Sequence, residues 1–296
     1  MPVDLHVHTN ASDGQYLPEE VVARARLQGL SAIAITDHDT TDGIPAAQKA
    51  AAVSFPPFEQ PRIIPGIELS AEETVFDDGK GRETAVDVHM LGYFINIKAP
   101  EFQNALSRFR DDRLMRAQAI LRKLDALGMP LDWKRLLEIA QGGAVGRPHI
   151  ARALAESGYV ENVPQAFELY LRNGGPAYVA RERLSPEGAV SLIHQAGGAA
   201  VLAHPGYIHH YSDLVARLIS AGLDGVEIWH PGNNEHVRAN LKVLAQRYNL
   251  IATGGSDYHG EAVKPAIRLG FFTAPEGAIE ALQSQAHFYR SLNDSQ

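Results

Sequence analysis

The sequence predicts an α/β chain, a parallel β/α barrel interrupted by a helical insertion, and three observations carry that prediction. Short apolar strands alternate with amphipathic helices over residues 1–98 and again over residues 176–296, the order expected of successive βαβ units. Nearly every such strand ends on a histidine or a carboxylate. Between the two blocks, residues 99–175 carry helical patterns only. The barrel domain is therefore assigned to 1–98 and 176–296, and a helical subdomain to 99–175.

Composition sets the outer bounds. At 296 residues, with 45% hydrophobic and 21% charged side chains, the chain has enough apolar surface for a sizeable core. The formal charge of −8, from 27 Lys and Arg against 35 Asp and Glu, argues against affinity for long nucleic acid or an anionic membrane. Small anionic substrates stay open, because bound cations would offset part of that charge. Cysteine is absent, so disulfides and thiolate metal sites are excluded and any metal must use nitrogen and oxygen ligands. Neither a signal peptide nor an apolar run of membrane-spanning length is visible, and the expectation is a cytoplasmic protein.

The elements follow in order. Val3, Leu5 and Val7 alternate with Asp4, His6 and His8, a strand whose two-residue period puts both imidazoles on one face. After the turn at Asn10–Gln15, Leu17-Pro18-Glu19-Glu20 opens a helix to about Gly29, with proline and acids at its positive end. The continuously apolar strand Ala32–Thr36 ends in Asp37-His38-Asp39. A helix over Ile44–Ala52 leads to a strand from Ile63 that ends on Glu68, and a strand over Val86–Ile95 carries His89.

Helical periods then cover Phe102–Leu127, Asp132–Ala140, Pro148–Ser157 and Pro164–Leu171, separated by glycine breakers. The alternation resumes with helix Pro186–Gln195, strand Ala199–Ala203 ending at His204, helix Leu214–Ala221 and strand Gly225–Trp229 ending at His230. Helix Glu235–Tyr248 and strand Leu250–Thr253 lead into Gly255-Ser256-Asp257-Tyr258-His259. A last strand, Leu269–Thr273, and a helix, Gly277–Ser284, close the chain.

Taken singly, each polar residue has an ordinary structural reading: His38 orienting a turn, Asp257 capping a helix, His204 filling a loop before Pro205. Taken together, His6, His8, Asp13, His38, Glu68, His89, His204, His230, Asp257 and His259 are hard to attribute to coincidence. In a parallel barrel the C-terminal strand ends converge on one rim, so ligands distant in sequence would meet there.

These residues resemble the polymerase and histidinol phosphatase (PHP) family of phosphoesterases. The match lies in His6-Val7-His8 with Asp13, Thr36-Asp37-His38, Pro65-Gly66-Ile67-Glu68, Ala203-His204-Pro205 and Gly255-Ser256-Asp257-Tyr258-His259. The resemblance implies a distorted (β/α)₇ TIM-like barrel and a metal-dependent phosphatase. It implies one metal at His6, His8, Glu68 and Asp257, a second bridged by Glu68 to His89 and His204, and a third group of Asp13, His38 and His259. Two or three divalent ions are expected, manganese first, with zinc or iron as alternatives. Metals about 3.5 to 4 Å apart would activate a bridging hydroxide and stabilise charge on phosphoryl oxygens. Glu68 and Asp257 are the expected catalytic carboxylates, and His230, outside the usual ligand pattern, a candidate acid for the leaving oxygen.

Within the insertion, Val145-Gly146-Arg147-Pro148-His149 marks a helix start, where free N–H groups and Arg147 would grip an anion. The alternative is a surface turn with a capping role. This stretch resembles the bacterial TrpH/YciV-like branch of the family, which implies a lid placing Arg147 and His149 over a second phosphate. That branch implies a nucleoside 3′,5′-bisphosphate substrate, with 5′-3′ trimming of short RNA as the alternative. His209 and Lys264, with Arg181, His210 and Arg268, are weaker candidates for substrate contact. The basic helix bearing Arg108, Arg110, Arg113, Arg116, Arg122 and Lys123 is interleaved with Asp111, Asp112 and Asp125, and is expected to be a solvated face with local ion pairs. Histidinol phosphate hydrolysis and a non-catalytic, metal-braced domain complete the alternatives, and the oligomeric state stays open.

Overall fold

A computed structural model describes residues 2–54, 60–77, 82–140, 145–179 and 184–294. Seven strands form one sheet in sequence order. They are β1 (Val3–Val7), β2 (Ala32–Ile35), β3 (Arg62–Asp77), β4 (Arg82–Tyr93), β5 (Ala199–Leu202), β6 (Gly225–Trp229) and β7 (Ile251–Gly254). The sheet nearly closes on itself: His8 N–H donates to Tyr258 O at 2.9 Å and Tyr258 N–H to His6 O at 3.3 Å, joining the segment after β7 to β1. The result is a mixed α/β barrel.

Pairing is parallel from β1 to β3 and from β5 to β7, but β4 runs antiparallel to both its neighbours. The all-parallel order expected from the sequence fails here for a steric reason. A parallel crossover needs about a dozen residues or more, and only four separate β3 from β4. The chain turns back as a hairpin that extends past the rim, with Glu68 opposite Leu91 and Ser70 opposite His89. His89 thus reaches the rim from the body of a reversed strand rather than from a strand end.

Helices α1 (Pro18–Leu27), α2 (Gly43–Ser54), α7 (Pro186–Gln195), α8 (Tyr211–Ile219), α9 (Glu235–Tyr248) and α10 (Ala278–Asn293) belong to the barrel blocks. Between the blocks lie α3 (Pro100–Ala126), α4 (Trp133–Ala140), α5 (Arg147–Glu156) and α6 (Val163–Ala166), the last continued by a π-helical turn at Phe167–Leu171. At 27 residues α3 is about 40 Å long and serves two cores. Its N-terminal Phe102 and Leu106 pack with Ile67, Leu69 and Ile193 of the barrel. Its later residues Ala117, Ile120, Leu121 and Leu124 pack instead with Leu136, Ile150, Leu154 and Leu171. Each fully buried Leu or Ile contributes roughly 1.5–3 kcal/mol, so this second cluster is a core in its own right.

Leu269–Thr273 does not form the expected strand. Gly270 has φ +76°, which breaks the extended path, and its N–H donates to Asp4 Oδ2 at 2.8 Å. Helix α10 runs on to Asn293, past the expected Ser284, because Ala278, Leu282 and Ala286 repeat every four residues against the barrel.

Candidate metal centre

Strand β1 contributes His6 and, one residue past its end, His8, both essentially inaccessible to solvent. His6 Nε2 and His8 Nε2 each lie 3.1 Å from Glu68 Oε2, and 3.6 and 3.4 Å from Asp257 Oδ1. The ligand atoms of these four residues fall within 4.8 Å of one another, close enough to share one ion. The other oxygen of Glu68, Oε1, lies 2.8 Å from His89 Nδ1 and 2.9 Å from His204 Nε2. A further group gathers His8, Asp13, His38 and His259, with Asp13 Oδ1 3.3 Å from His259 Nε2 and Asp13 Oδ2 3.9 Å from His38 Nε2. All nine expected ligand positions therefore meet on one rim.

Closing the barrel brings the first and last of them together. A Cβ on Gly255 would sit 2.3 Å from His6 Cβ, so only glycine lets this segment pass and deliver Asp257 to the rim. Both Asp257 and His204 have positive φ, 54° and 28°, conformations that cost non-glycine residues of order 1–3 kcal/mol and persist where surrounding structure enforces them.

The electrostatics suit divalent cations. Burial alone would raise the Glu68 carboxyl, but the imidazoles around it, His38 first, hold it well below the usual range. Asp257 and Asp13 are likewise held low against the effect of burial, chiefly by Lys264 and by His259 respectively. Burial pushes His38 down to about 3 and lowers His204 and His259, the direction that favours the neutral ring whose lone pair a cation needs. For His6 and His8 burial is outweighed by the carboxylates, which raise His6 well above its usual value and His8 to about 9, so a cation bound there displaces protons. Both ring nitrogens of His8, His38 Nδ1 and His204 Nδ1 are buried without a hydrogen bond. Each such orphan costs about 1–3 kcal/mol, and coordination removes the cost. A thiolate-free set of imidazoles and carboxylates fits manganese, zinc or iron.

Sequence reasoning missed the residues that aim these ligands. Glu227, fully buried in β6, accepts from His6 Nδ1 at 2.9 Å through Oε1 and from the His204 N–H at 2.8 Å through Oε2. That bond keeps a proton on His6 Nδ1 and aims Nε2 at Glu68 and Asp257, where a cation can take its place on the lone pair. Asp4 accepts from Ser256 N–H at 2.9 Å, Ser256 Oγ at 2.6 Å and Gly270 N–H, pinning the β7 junction, and burial raises its carboxyl to about 6. Asp37 accepts from Thr9 N–H, Thr9 Oγ1 and Ser12 Oγ, each at 2.7 Å, and so fixes the turn bearing Asp13. The signal was present: an acid inside an apolar strand, as in Val226-Glu227-Ile228, is buried only when paired.

His230 is fully buried, with Nε2 3.3 Å from Asp257 Oδ2. Gly232 N–H donates to His230 Nδ1 at 2.9 Å, so the ring proton sits on Nε2, facing the centre. A cavity beside the centre is lined by Asp13, His38 and His89 from the barrel and by Arg113, Arg116 and Arg147 from the helices. Arg147, at the first turn of α5, bonds Asn173 Oδ1 and Asp87 Oδ2, both at 3.0 Å. Arg113 pairs with Asp39, and Arg116 Nε donates to Val179 O at 2.7 Å. These two arginines are three residues apart and turn inward with Phe109 and Ile120, so part of the basic helix lines the site instead of facing solvent.

The remaining substrate candidates separate. His149 is 3% exposed, and its Nδ1 accepts from Gly146 N–H at 3.1 Å, closing the start of α5 away from the arginine cavity. Lys264 Nζ bonds Asp257 Oδ2 at the rim, His209 and Arg268 are exposed, and His210 pairs with Glu73 away from the metal groups. Arg181 lies outside the described residues. Among the described residues no helix is long and apolar enough to cross a membrane.

A mixed α/β barrel with four overlapping imidazole and carboxylate groups on one rim, among the described residues, defines a metal-dependent hydrolase. The PHP domain model matches residues 4–145, and the chain belongs to the PHP family of phosphoesterases. It is 35% identical over 271 residues to the 5′-3′ exoribonuclease Rnm of Salmonella typhimurium, covering 90% of this chain and 87% of that one. It is 34% identical over 262 residues to the 3′,5′-nucleoside bisphosphate phosphatase of Chromobacterium violaceum, covering 87% of each. The crystal structure of an amidohydrolase from Chromobacterium violaceum with bound sulfate and no metal superposes with a TM-score of 0.81 at 29% identity, covering 96% of this chain and 97% of that one.

Proposed function

We propose that this phosphoesterase removes a phosphate from a nucleoside 3′,5′-bisphosphate. The observation that carries the reading is the shared cavity: Arg113, Arg116 and Arg147 line it together with Asp13, His38 and His89. One phosphate can lie at the metal groups while a second is held by guanidinium forks, which match phosphate oxygens two at a time. The helices of residues 99–175 act as a lid that carries those arginines.

His6, His8, Glu68 and Asp257 would hold one ion, Glu68 with His89 and His204 would hold a second, and Asp13, His38 and His259 would take a third where three are bound. Manganese is favoured, with zinc or iron as alternatives. Bound divalent ions supply Lewis-acid charge for the phosphoryl oxygens and an activated water. The chain's own part is positional. Glu227 accepts from His6 Nδ1 and so aims Nε2 at Glu68 and Asp257, Asp37 holds the Asp13 turn, and His230 presents Nε2–H beside Asp257, where it can give a proton to the departing oxygen.

The test is phosphate release from adenosine 3′,5′-bisphosphate by metal-loaded protein, set against a 5′-phosphorylated tetranucleotide, with metal content measured on the same sample. Faster turnover of the mononucleotide is expected. Inactivity on it with every divalent metal tried would overturn the assignment. A second reading, trimming of short 5′-phosphorylated RNA, is favoured by the relative named as a 5′-3′ exoribonuclease.

A further inference from the structure

The arginine cavity draws its barrel residues chiefly from the segments after β1 and β2 and from the paired strands β3 and β4. The opposite half of the rim, after β5, β6 and β7, carries a residue with no role so far. Tyr207 is a large aromatic, 65% exposed, in the 3-10 turn Pro205–Tyr207 directly after the ligand position His204. Its ring centre lies 5.4 Å from that of His204 and 5.8 Å from that of His230, perpendicular to the latter. Those two distances place the ring at the mouth of the centre.

This exposed ring stands on a fixed base. Gly206 N–H donates to Asn233 Oδ1 at 2.8 Å, and the fully buried Asn233 is held in turn by Glu227 O at 3.0 Å and Ile228 O at 3.1 Å. The next residue, Ile208, is buried in the core. A Cβ on Gly232 would sit 2.4 Å from Tyr207 Cζ, so the β6–α9 loop is fitted to the ring edge. Holding a large aromatic in water on a pinned turn gains the fold little, but it prepays the ordering cost of a stacking surface.

A monoester with one phosphate at the metal groups and another among the arginines leaves the Tyr207 half of the rim unused. A phosphodiester carries a second nucleoside beyond the scissile phosphorus, pointing away from the nucleoside whose other phosphate the arginines would hold, and the Tyr207 half is the part of the rim left for it. We infer that Tyr207 is a stacking platform for the base of the nucleotide following the scissile phosphate, and that this ring sets how well the site takes a short 5′-phosphorylated oligonucleotide relative to the bisphosphate. The inference rests on the phosphoesterase reading of the centre. In the reaction, water adds to phosphorus and the bond to the 3′ oxygen of the first nucleoside breaks. That oxygen takes up the proton, leaving a nucleoside 5′-monophosphate and a chain that begins with the transferred phosphate.

The experiment compares metal-loaded wild type, Tyr207→Leu and Tyr207→Phe on three substrates: adenosine 3′,5′-bisphosphate, a 5′-phosphorylated dinucleotide, and the same dinucleotide with no base on its second sugar. Tyr207→Leu should lower kcat/KM on the dinucleotide about 5- to 150-fold, the range for loss of one base stack. It should leave the bisphosphate and the abasic dinucleotide within about twofold, and Tyr207→Phe should behave as wild type. Equal loss on all three substrates would make Tyr207 a mere support for His230. No loss on the dinucleotide, or no wild-type cleavage of it beside active bisphosphate hydrolysis, overturns the inference as well. Should wild type hydrolyse nothing, the phosphoesterase reading fails separately. Dinucleotide binding to the metal-loaded protein then decides: weaker binding of the abasic form, matched in Tyr207→Leu, keeps the platform, and equal binding removes it.

Discussion

Replacing Glu227 with glutamine keeps the shape of a side chain that touches no expected ligand group except through hydrogen bonds, and it isolates what aiming a ligand is worth. The carboxylate accepts from two donors, His6 Nδ1 at 2.9 Å and His204 N–H at 2.8 Å, with no solvent access. A glutamine amide has one acceptor, so its NH₂ must face one of those donors. Facing His6, it drives the ring to the other tautomer and puts a proton on Nε2, the atom aimed at Glu68 and Asp257. Facing His204, it unseats the backbone that carries His204 to Glu68. Loss of such a partner typically lowers metal affinity 10- to 100-fold, about 1.4 to 2.7 kcal/mol. Fold stability should change less, because removing a buried charge recovers desolvation energy that offsets the lost bonds. The assay is phosphate release titrated with metal in a chelator buffer. The activation midpoint should move up by about one to two decades, with most of the rate recovered at saturation. An unchanged midpoint in a folded variant refutes the argument, and so does an unchanged midpoint with a collapsed maximal rate.

His8→Ala, which removes a ring shared by two of the metal groups, should lose bound metal and hydrolysis together; loss of neither, by metal analysis and rate, would return His8 to a structural role. Arg147→Ala should raise KM for the bisphosphate about 10- to 100-fold while sparing a substrate without the second phosphate, and equal effects on both would place Arg147 outside the anion site. Chelating the metal exposes the orphan nitrogens of His8, His38 and His204, so the melting temperature should fall and recover with added manganese; a chelator-insensitive melting temperature would count against the centre. His149 is held down to about 4 by burial, so below its unfolded value of 6.5 the unfolded chain binds a proton that the folded chain refuses. That contribution is intact above pH 6.5 and is lost as pH falls toward 4, at about 1.4 kcal/mol per unit. Denaturation midpoints of wild type and His149→Asn should therefore diverge across that window, and parallel curves would show that the ring is free to protonate.

Most of the expected ligand positions were legible because they carry two signals at once, a chemical type and a place at the end of an apolar run. His6, His38, Glu68, His204 and Asp257 all have both. His89 has only the first: periodicity reports that Val86–Ile95 is extended but not which way it runs, and direction is set by the shortness of the β3–β4 connection. Leu269–Thr273 failed for the converse reason. Its residues suit a strand, but Gly270 takes a left-handed conformation and gives its N–H to Asp4 rather than to a neighbouring strand.

What stayed hidden shares one physical character: these groups act on another residue, and their partners are fixed only by the closed barrel. Glu227 lies 221 residues from His6 and Asp4 lies 252 from Ser256, so no local pattern joins them. Arg113 and Arg116 were read as solvated because charges of both signs alternate along α3, yet the apolar residues beside them, Phe109, Ala117 and Ile120, mark the face that turns inward. The same logic bears on Tyr207. Sequence shows an aromatic three residues past His204, whereas its fixed base and open face come from Asn233 and Gly232, contributed by the next strand's loop. Expected contacts with an ion are thus written in residue types, while the groups behind them, and the arginines and aromatic ring proposed to select the substrate, are placed by topology.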